Sequence, residues 1–140
     1  MDQEDTKTQR HSYEPIPARA NMAAKIAVQA AFAVHTQLGP GLLESVYEKC
    51  LAHAIRRRGL LVQRQILLPI DFEGLRINSG LRLDMLVDQS LIVEVKAVEV
   101  LLPVHRAQLL TYLKLSGYRL GLLLNFDVEI IRNGITRIVS

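Results

Sequence analysis

The chain has 140 residues, of which 49% are hydrophobic and 22% charged, so it can form one globular domain and is not disordered throughout. Its single cysteine excludes an internal disulfide framework, and its net charge of +3 is compatible with an anionic partner without identifying one. The apolar runs are far shorter than the roughly 20 residues that span a bilayer, and the polar N-terminus does not resemble a signal peptide. We therefore expect a cytoplasmic protein that does not contact a membrane.

Two helices are predicted in the first half of the chain. Residues 1–18 are mostly polar and contain two prolines, which favours a disordered tail and leaves residues 19–140 for the folded domain. Apolar residues at helical spacing then predict helices over 19–37 and 42–58. A Gly-Pro-Gly segment separates these helices, because neither residue type readily continues a helix.

The apolar spacing changes from helical to alternating after residue 61. The new pattern predicts a strand over 62–68, a turn over 71–74, and two more strands over 81–87 and 91–98. The polar connection over 88–90 is short, so the strands on either side of it are expected to form a hairpin.

The C-terminal third returns to a helix and then to strands. A proline suited to the first turn begins a predicted helix over 103–116, and an apolar strand follows over 118–125. Residues 129–132 and 135–139 are predicted to form a last hairpin, because Asn-Gly between them favours a tight turn. The strands before and after the third helix are expected to be parallel. Together the elements predict an α/β or α+β domain with a mixed central sheet, flanking helices and a C-terminal hairpin.

Charged side chains interrupt two of the predicted strands. Glu94 and Lys96 lie on one face of an otherwise apolar strand, and Asp84 lies in the strand before it. A solvated face explains an isolated Glu-x-Lys pair, since charged side chains are mostly exposed. The hairpin, however, can bring Asp84 and Glu94 together, and two close carboxylates favour a bound cation. Their oxygens and the Val95 carbonyl suit Mg²⁺, and Lys96 could then stabilise a hydroxide nucleophile or the charge that develops on a phosphate.

The spacing of Asp84 from Glu94-Val95-Lys96 resembles the active-site signature of the PD-(D/E)XK nuclease superfamily. The proline of that signature is replaced by Leu83. The resemblance implies a restriction-endonuclease-like domain in which the two acids bind a metal ion. It also implies that Lys96 assists the hydrolysis of a phosphodiester.

A second motif lies at the start of the second predicted helix. Gly41, Glu44 and Tyr47 match the pattern that names the GxxExxY protein family, whose members are predicted nucleases of the same superfamily. This resemblance implies that Glu44 joins the metal site, although the helix dipole alone also favours a glutamate in a first turn. Because Glu44 shares a helix face with Leu51 and Ile55, its side chain is expected to point inward.

A third motif lies in the third predicted helix. Gln108 and Tyr112 match the Gln-x-x-x-Tyr pattern of the RecB-like branch of the superfamily. The resemblance implies that the glutamine lies by the metal and the phosphate, and that the tyrosine packs or hydrogen-bonds nearby. His105 falls in the same helical sector, and for this residue a structural or surface role is favoured.

The resemblance therefore implies a Mg²⁺- or Mn²⁺-dependent nuclease that acts on nucleic acid, with DNA favoured as the substrate. The predicted catalytic residues are Glu44, Asp84, Glu94, Lys96, Gln108 and Tyr112. The predicted metal ligands are Glu44, Asp84, Glu94 and the carbonyl of Val95. The basic residues predicted to contact nucleic-acid phosphates are Arg56, Arg57, Arg58, Arg82, Arg106 and Lys114. Two alternatives stay open, namely a nucleic-acid-binding domain without catalysis and a protein-interaction domain or homodimer.

Overall fold

The computed structural model describes residues 14–140, so the predicted tail over 1–18 lies mostly outside the described residues. The described part contains three α-helices and five strands. The helices are α1 (Ala18–Leu38), α2 (Glu44–Arg57) and α3 (Pro103–Ser116). The strands are β1 (Val62–Phe72), β2 (Leu75–Val87), β3 (Leu91–Lys96), β4 (Leu120–Asn125) and β5 (Ile135–Val139).

The five strands form one mixed sheet in the order β1-β2-β3-β4-β5. Strands β3 and β4 pair in parallel across the α3 connection, and the other neighbouring pairs are antiparallel. This arrangement confirms the predicted α+β fold and the predicted parallel pair. It also confirms the hairpin between β2 and β3, in which Met85 pairs with Val93 and Val87 with Leu91.

Helices cover both faces of the sheet, because side chains along a strand alternate between its faces. Alternate β3 residues such as Leu91, Val93 and Val95 pack in one cluster with α1 and α2. Ile92, on the other face of β3, packs with Leu109 and other residues of α3 in a second cluster. Helix α1 contributes mainly alanines to the first cluster, which lets its backbone approach the sheet closely.

The first hairpin is longer than the sequence pattern predicts. Strand β1 continues to Phe72 and β2 begins at Leu75, so the turn consists of Glu73 and Gly74, both with positive φ. The register shifts between Leu68 and Ile70, where a proline cannot donate to the ladder. Residues 71–80 are exposed, and this part of the hairpin extends beyond the helices. The alternating pattern is weak here because neither face of the ribbon is buried.

The predicted hairpin between 129–132 and 135–139 is wrong. Residues Ile131–Gly134 form a short 3₁₀ helix, and β5 pairs with β4 instead. Gly134 is needed for packing rather than for a two-residue turn, since a Cβ at this position would collide with the carbonyl oxygen of Asn125. The Asn-Gly pair therefore lies in a longer connection between two antiparallel strands.

No helix in residues 14–140 has both the length and the apolar character required to cross a membrane.

Candidate active site

The hairpin of β2 and β3 brings Asp84 and Glu94 together where the regular pairing of the two strands ends. The last regular pair is Met85 with Val93, and continuation of the register would place Asp84 directly opposite Glu94. Residues directly opposite in an antiparallel pair project to the same face. The two carboxylates therefore lie side by side although they are ten residues apart in sequence.

The two carboxylates replace the missing ladder with hydrogen bonds between strands. The backbone N–H of Asp84 donates to Glu94 Oε2 at 2.9 Å, and the N–H of Val95 donates to Asp84 Oδ2 at 2.8 Å. Within residues 14–140, no buried side-chain polar atom lacks a partner. The carbonyl of Val95 points to the same edge as its N–H in a regular strand, which directs it toward Asp84.

Both carboxyl groups have raised pKa values. Removal from water raises the pKa of Glu94 from 4.5 to about 8, and the charge of Asp84 adds to this rise. Removal from water also raises the pKa of Asp84 from 3.8 to about 6, and the charges of Glu48 and Glu44 contribute. The ammonium of Lys96 acts in the opposite direction on both groups without cancelling the rise. A cation beside these acids would offset the repulsion among them.

Lys96 lies at the end of β3, where two interactions fix the backbone. The carbonyl of Lys96 accepts a hydrogen bond from the N–H of Phe126 at 2.9 Å. The buried side chain of Asn125 accepts from the N–H of Val98 at 3.0 Å and donates to the Val98 carbonyl at 2.8 Å. Asn125 therefore holds the segment that follows Lys96, and it is absent from the predicted site because its role depends on β4 pairing beside β3.

Helix α3 places Gln108 and Tyr112 beside these groups. The ammonium of Lys96 donates to Gln108 Oε1 at 3.5 Å. Burial and the charges of Glu94 and Asp84 raise the pKa of the half-buried Tyr112, and a hydrogen bond with the Gln108 side chain opposes this rise. His105 is structural, as expected, because its Nδ1 accepts from the N–H of Leu102 and caps the helix.

Helix α2 contributes two acids, of which sequence analysis identified one. Glu44 is exposed, so the expectation that it points inward is wrong, and the reason is that all of residues 44–46 at the start of α2 are exposed. Glu48, one turn later, is only 4% exposed. The spacing of four residues puts both acids on one helix face, and this spacing is the signal that identifies Glu48. A cavity of about 300 Å³, here called the acidic cavity, is lined by Glu44, Ser45, Glu48, Gln65, Arg82 and Asp84.

Strand β1 holds the carboxylate of Glu48. Arg64 contacts Glu48 Oε2 through two of its nitrogens, at 3.1 and 2.9 Å. The side-chain amide of Gln65 donates to both Glu48 oxygens, at 2.9 and 2.8 Å. Gln65 has a φ of 54°, which is uncommon for a residue other than glycine. This backbone conformation lets consecutive side chains of one strand reach the same carboxylate.

Tyr47 fixes the entry to α2. Its hydroxyl donates to the carbonyl of Gly39 at 2.5 Å and accepts from the N–H of Leu42 at 3.0 Å. Its ring stacks on Phe126, with centroids 4.7 Å apart. Gly41 has a φ of 98°, a conformation that side chains disfavour. The residues on either side of Glu44 therefore determine where the helix begins, and that position sets both acids at the cavity.

Of the predicted phosphate-binding residues, Arg82 lines the acidic cavity. The basic run 56–58 ends α2 and lies about 20 Å along the helix axis from Glu44. Arg106 faces β5 from α3, and Lys114 lies exposed in the last turn of α3. The tertiary structure thus separates Arg82 from the other basic residues.

The donor chemistry of the cavity fits a hard divalent cation. Carboxylates from Asp84, Glu94, Glu44 and Glu48 lie close enough to influence one another, and Mg²⁺ prefers oxygen ligands. Within the described range, however, no three acidic, histidine or cysteine side chains are already arranged as a metal-binding group. Asp84 and Glu94 each accept a backbone N–H with one carboxylate oxygen, which leaves the second oxygen of each as a ligand for a cation.

Comparison with known proteins assigns a family to this fold. A family model described as the PD-(D/E)XK nuclease superfamily matches residues 21–138. No curated protein and no solved structure shows significant similarity to the chain. The matched region includes α2, β2, β3 and α3 and therefore all of the acids described above.

Proposed function

The chain belongs to the PD-(D/E)XK nuclease superfamily, whose nucleases generally use divalent metal ions, and from this we propose that it is a metal-dependent nuclease. The reaction is hydrolysis of a phosphodiester in nucleic acid, with DNA as the substrate. The nuclease domain spans residues 19–140. The observation that carries the proposal is the pairing of Asp84 with Glu94 through two backbone hydrogen bonds, with Lys96 on the same strand.

The proposed metal site consists of Asp84, Glu94, Glu44 and the carbonyl of Val95. A bound Mg²⁺ or Mn²⁺ would supply positive charge to the phosphate and to the attacking water. The raised pKa values of Asp84 and Glu94 support this site, because a cation would favour the ionised forms of both groups.

The remaining predicted residues position the reacting groups. Lys96 orients the water and offsets negative charge as the water oxygen bonds to phosphorus and the P–O bond to the leaving oxygen breaks. The leaving oxygen takes up a proton from solvent. Gln108 contacts the ammonium of Lys96, so it holds the amine in place and can also donate its N–H to a phosphate oxygen. Tyr112 supports Gln108 through a hydrogen bond from the next turn of α3.

A cleavage assay with matched variants tests this function. Purified protein is incubated with double-stranded DNA, single-stranded DNA and RNA in Mg²⁺, Mn²⁺ or excess EDTA. We expect cleavage with a divalent ion only, and a loss of about 10²- to 10³-fold in Lys96→Ala, since removal of one group that stabilises transition-state charge has this effect. Lys25→Ala on the exposed face of α1 is the matched control and should cut at the wild-type rate.

Absence of cleavage with every substrate and metal, or full activity in Lys96→Ala, would contradict the proposal. Salt-dependent binding of DNA without turnover would indicate the alternative of a nucleic-acid-binding domain. A location in the cytoplasm and a homodimer remain predictions. Sedimentation of the purified chain measures the second of these.

A further inference from the structure

Gln65, Asp84 and Glu94 form one row across three strands. Extension of the β1–β2 register places Gln65 opposite Asp84, and extension of the β2–β3 register places Asp84 opposite Glu94. No two of the three form a regular ladder pair with each other, although Glu94 pairs with β4 on its other side. On the β1–β2 side, regular pairs flank it, namely Arg64 with Met85 and Ile66 with Leu83. Between these flanking pairs the interruption of the β1–β2 ladder is one row deep, and that row carries the two paired carboxylates.

The side chain of Gln65 uses both ends of its amide. Its nitrogen donates to Glu48, and its oxygen accepts from Arg82 Nε at 2.6 Å. The two terminal nitrogens of Arg82 make no hydrogen bond to the part of the chain that the structure describes. One glutamine thus joins a buried acid of α2 to an exposed guanidinium of β2, and the direction of the amide is fixed because only its nitrogen can donate.

We propose that Gln65 is a positioning residue that holds the Arg82 guanidinium at the edge of the acidic cavity, where Arg82 binds a phosphate of the nucleic acid. This inference rests on the proposed nuclease function and names the group that receives the substrate. A guanidinium presents several donors in one plane and therefore suits phosphate oxygens. The carboxylate of Glu48, to which Gln65 donates, is itself held in place by an ion pair with Arg64.

The charges of the cavity explain why a guanidinium must be held in place there. Glu44, Glu48 and Asp84 line the cavity together with one basic side chain, Arg82. An anionic phosphate that approaches these acids is repelled unless a cation accompanies it. The run 56–58 cannot meet the same phosphate, because it lies at the other end of α2. The left-handed backbone of Gln65 fits this role, since in a regular strand its side chain would project opposite to that of Arg64 and so away from Glu48.

A double-mutant cycle in binding tests the inference without any metal. A labelled oligonucleotide is titrated in EDTA, with anisotropy as the readout, over a series of salt concentrations. The variants are Arg82→Ala, Gln65→Met and the double variant. Methionine keeps the length of glutamine and removes its hydrogen bonds to Glu48 and Arg82. Arg76→Ala is the control, because Arg76 is an exposed arginine of the same strand that lies beyond the cavity and pairs with Asp71.

We expect Arg82→Ala to weaken binding about tenfold and to lower the slope of log K against log salt by about one, which corresponds to one lost phosphate contact. Gln65→Met should weaken binding about three- to tenfold, and the double variant should bind no more weakly than Arg82→Ala. The control should bind within about twofold of the wild type, apart from the small general effect of one charge. Gln65→Met should also lower the salt slope, because Arg82 then loses its place at the phosphate. If Gln65 only supported the fold, the salt slope of Gln65→Met would equal that of the wild type.

Additive losses in the double variant, or wild-type affinity in Arg82→Ala, would overturn the inference. Should Gln65→Met fail to fold by circular dichroism, Gln65→Asn replaces it, because asparagine tolerates the left-handed backbone but is too short to join Glu48 to Arg82. A wild-type protein that neither binds nor cuts nucleic acid would overturn both this inference and the proposed function. A wild type that cuts, combined with additive losses, would overturn the inference alone.

Discussion

Removal of the buried charge of Glu94 should stabilise the metal-free protein at high pH. The pKa of Glu94 rises from 4.5 to about 8 in the folded protein. At about 1.4 kcal/mol for each pKa unit, ionisation in the folded state then costs on the order of 5 kcal/mol. A raised acid pKa means that the folded state binds the proton more tightly than the unfolded state. Its contribution to stability is complete below the unfolded value and is lost as the pH rises through about 8.

Glu94→Gln tests this reasoning because it removes the charge and keeps an oxygen that can accept from the N–H of Asp84. The free energy of unfolding is measured by urea denaturation in EDTA at pH 5 and pH 9. Relative to wild type, the variant should gain roughly 2–4 kcal/mol more at pH 9 than at pH 5, which is less than the full cost because water can enter the strained site. Glu99→Gln, an exposed glutamate shortly after β3, is the control and should show no such difference. Equal effects of Glu94→Gln at both pH values would refute the argument.

Three further predictions concern the support of the site and its response to metal. Tyr47→Phe keeps the stacked ring but removes two hydrogen bonds, so urea denaturation should show a free energy of unfolding lower by about 1–3 kcal/mol. A decrease below about 0.5 kcal/mol would contradict the role of the hydroxyl. Asn125→Ala leaves the N–H and the carbonyl of Val98 without their partner, so it should lower the free energy of unfolding by about 2–3 kcal/mol and slow cleavage. Unchanged cleavage would show that the end of β3 does not depend on Asn125. Millimolar Mg²⁺ should raise the Tm of the wild type at pH 8 by several degrees, because a ligand that binds the folded state stabilises it. The Tm of Asp84→Asn should rise by less. Equal shifts in the two proteins would mean that the metal binds elsewhere.

The apolar periodicity predicted the helices, most of the strands and the α+β class, because it is a local property of the chain. The prediction was wrong at the C-terminus, where Asn133-Gly134 indicated a tight turn. Tertiary packing of Gly134 against Asn125 decided that connection. The predicted strands of the first hairpin were also too short, because the extended part of the ribbon has no buried face and therefore no alternation of apolar and polar residues.

Some residues of the candidate site can be identified from the sequence, and others depend on how the elements pack. Two acids and a lysine that interrupt apolar strands are visible in the amino-acid sequence alone, and they are informative because burial of a charge is costly. The packing of the elements buries Glu48 of α2 and leaves Glu44 exposed. It also places Arg82 at the cavity and the run 56–58 away from it. The spacing within one element follows from the geometry of a helix or a strand. Which elements become neighbours, and which end of a helix meets the sheet, depends on how those elements pack.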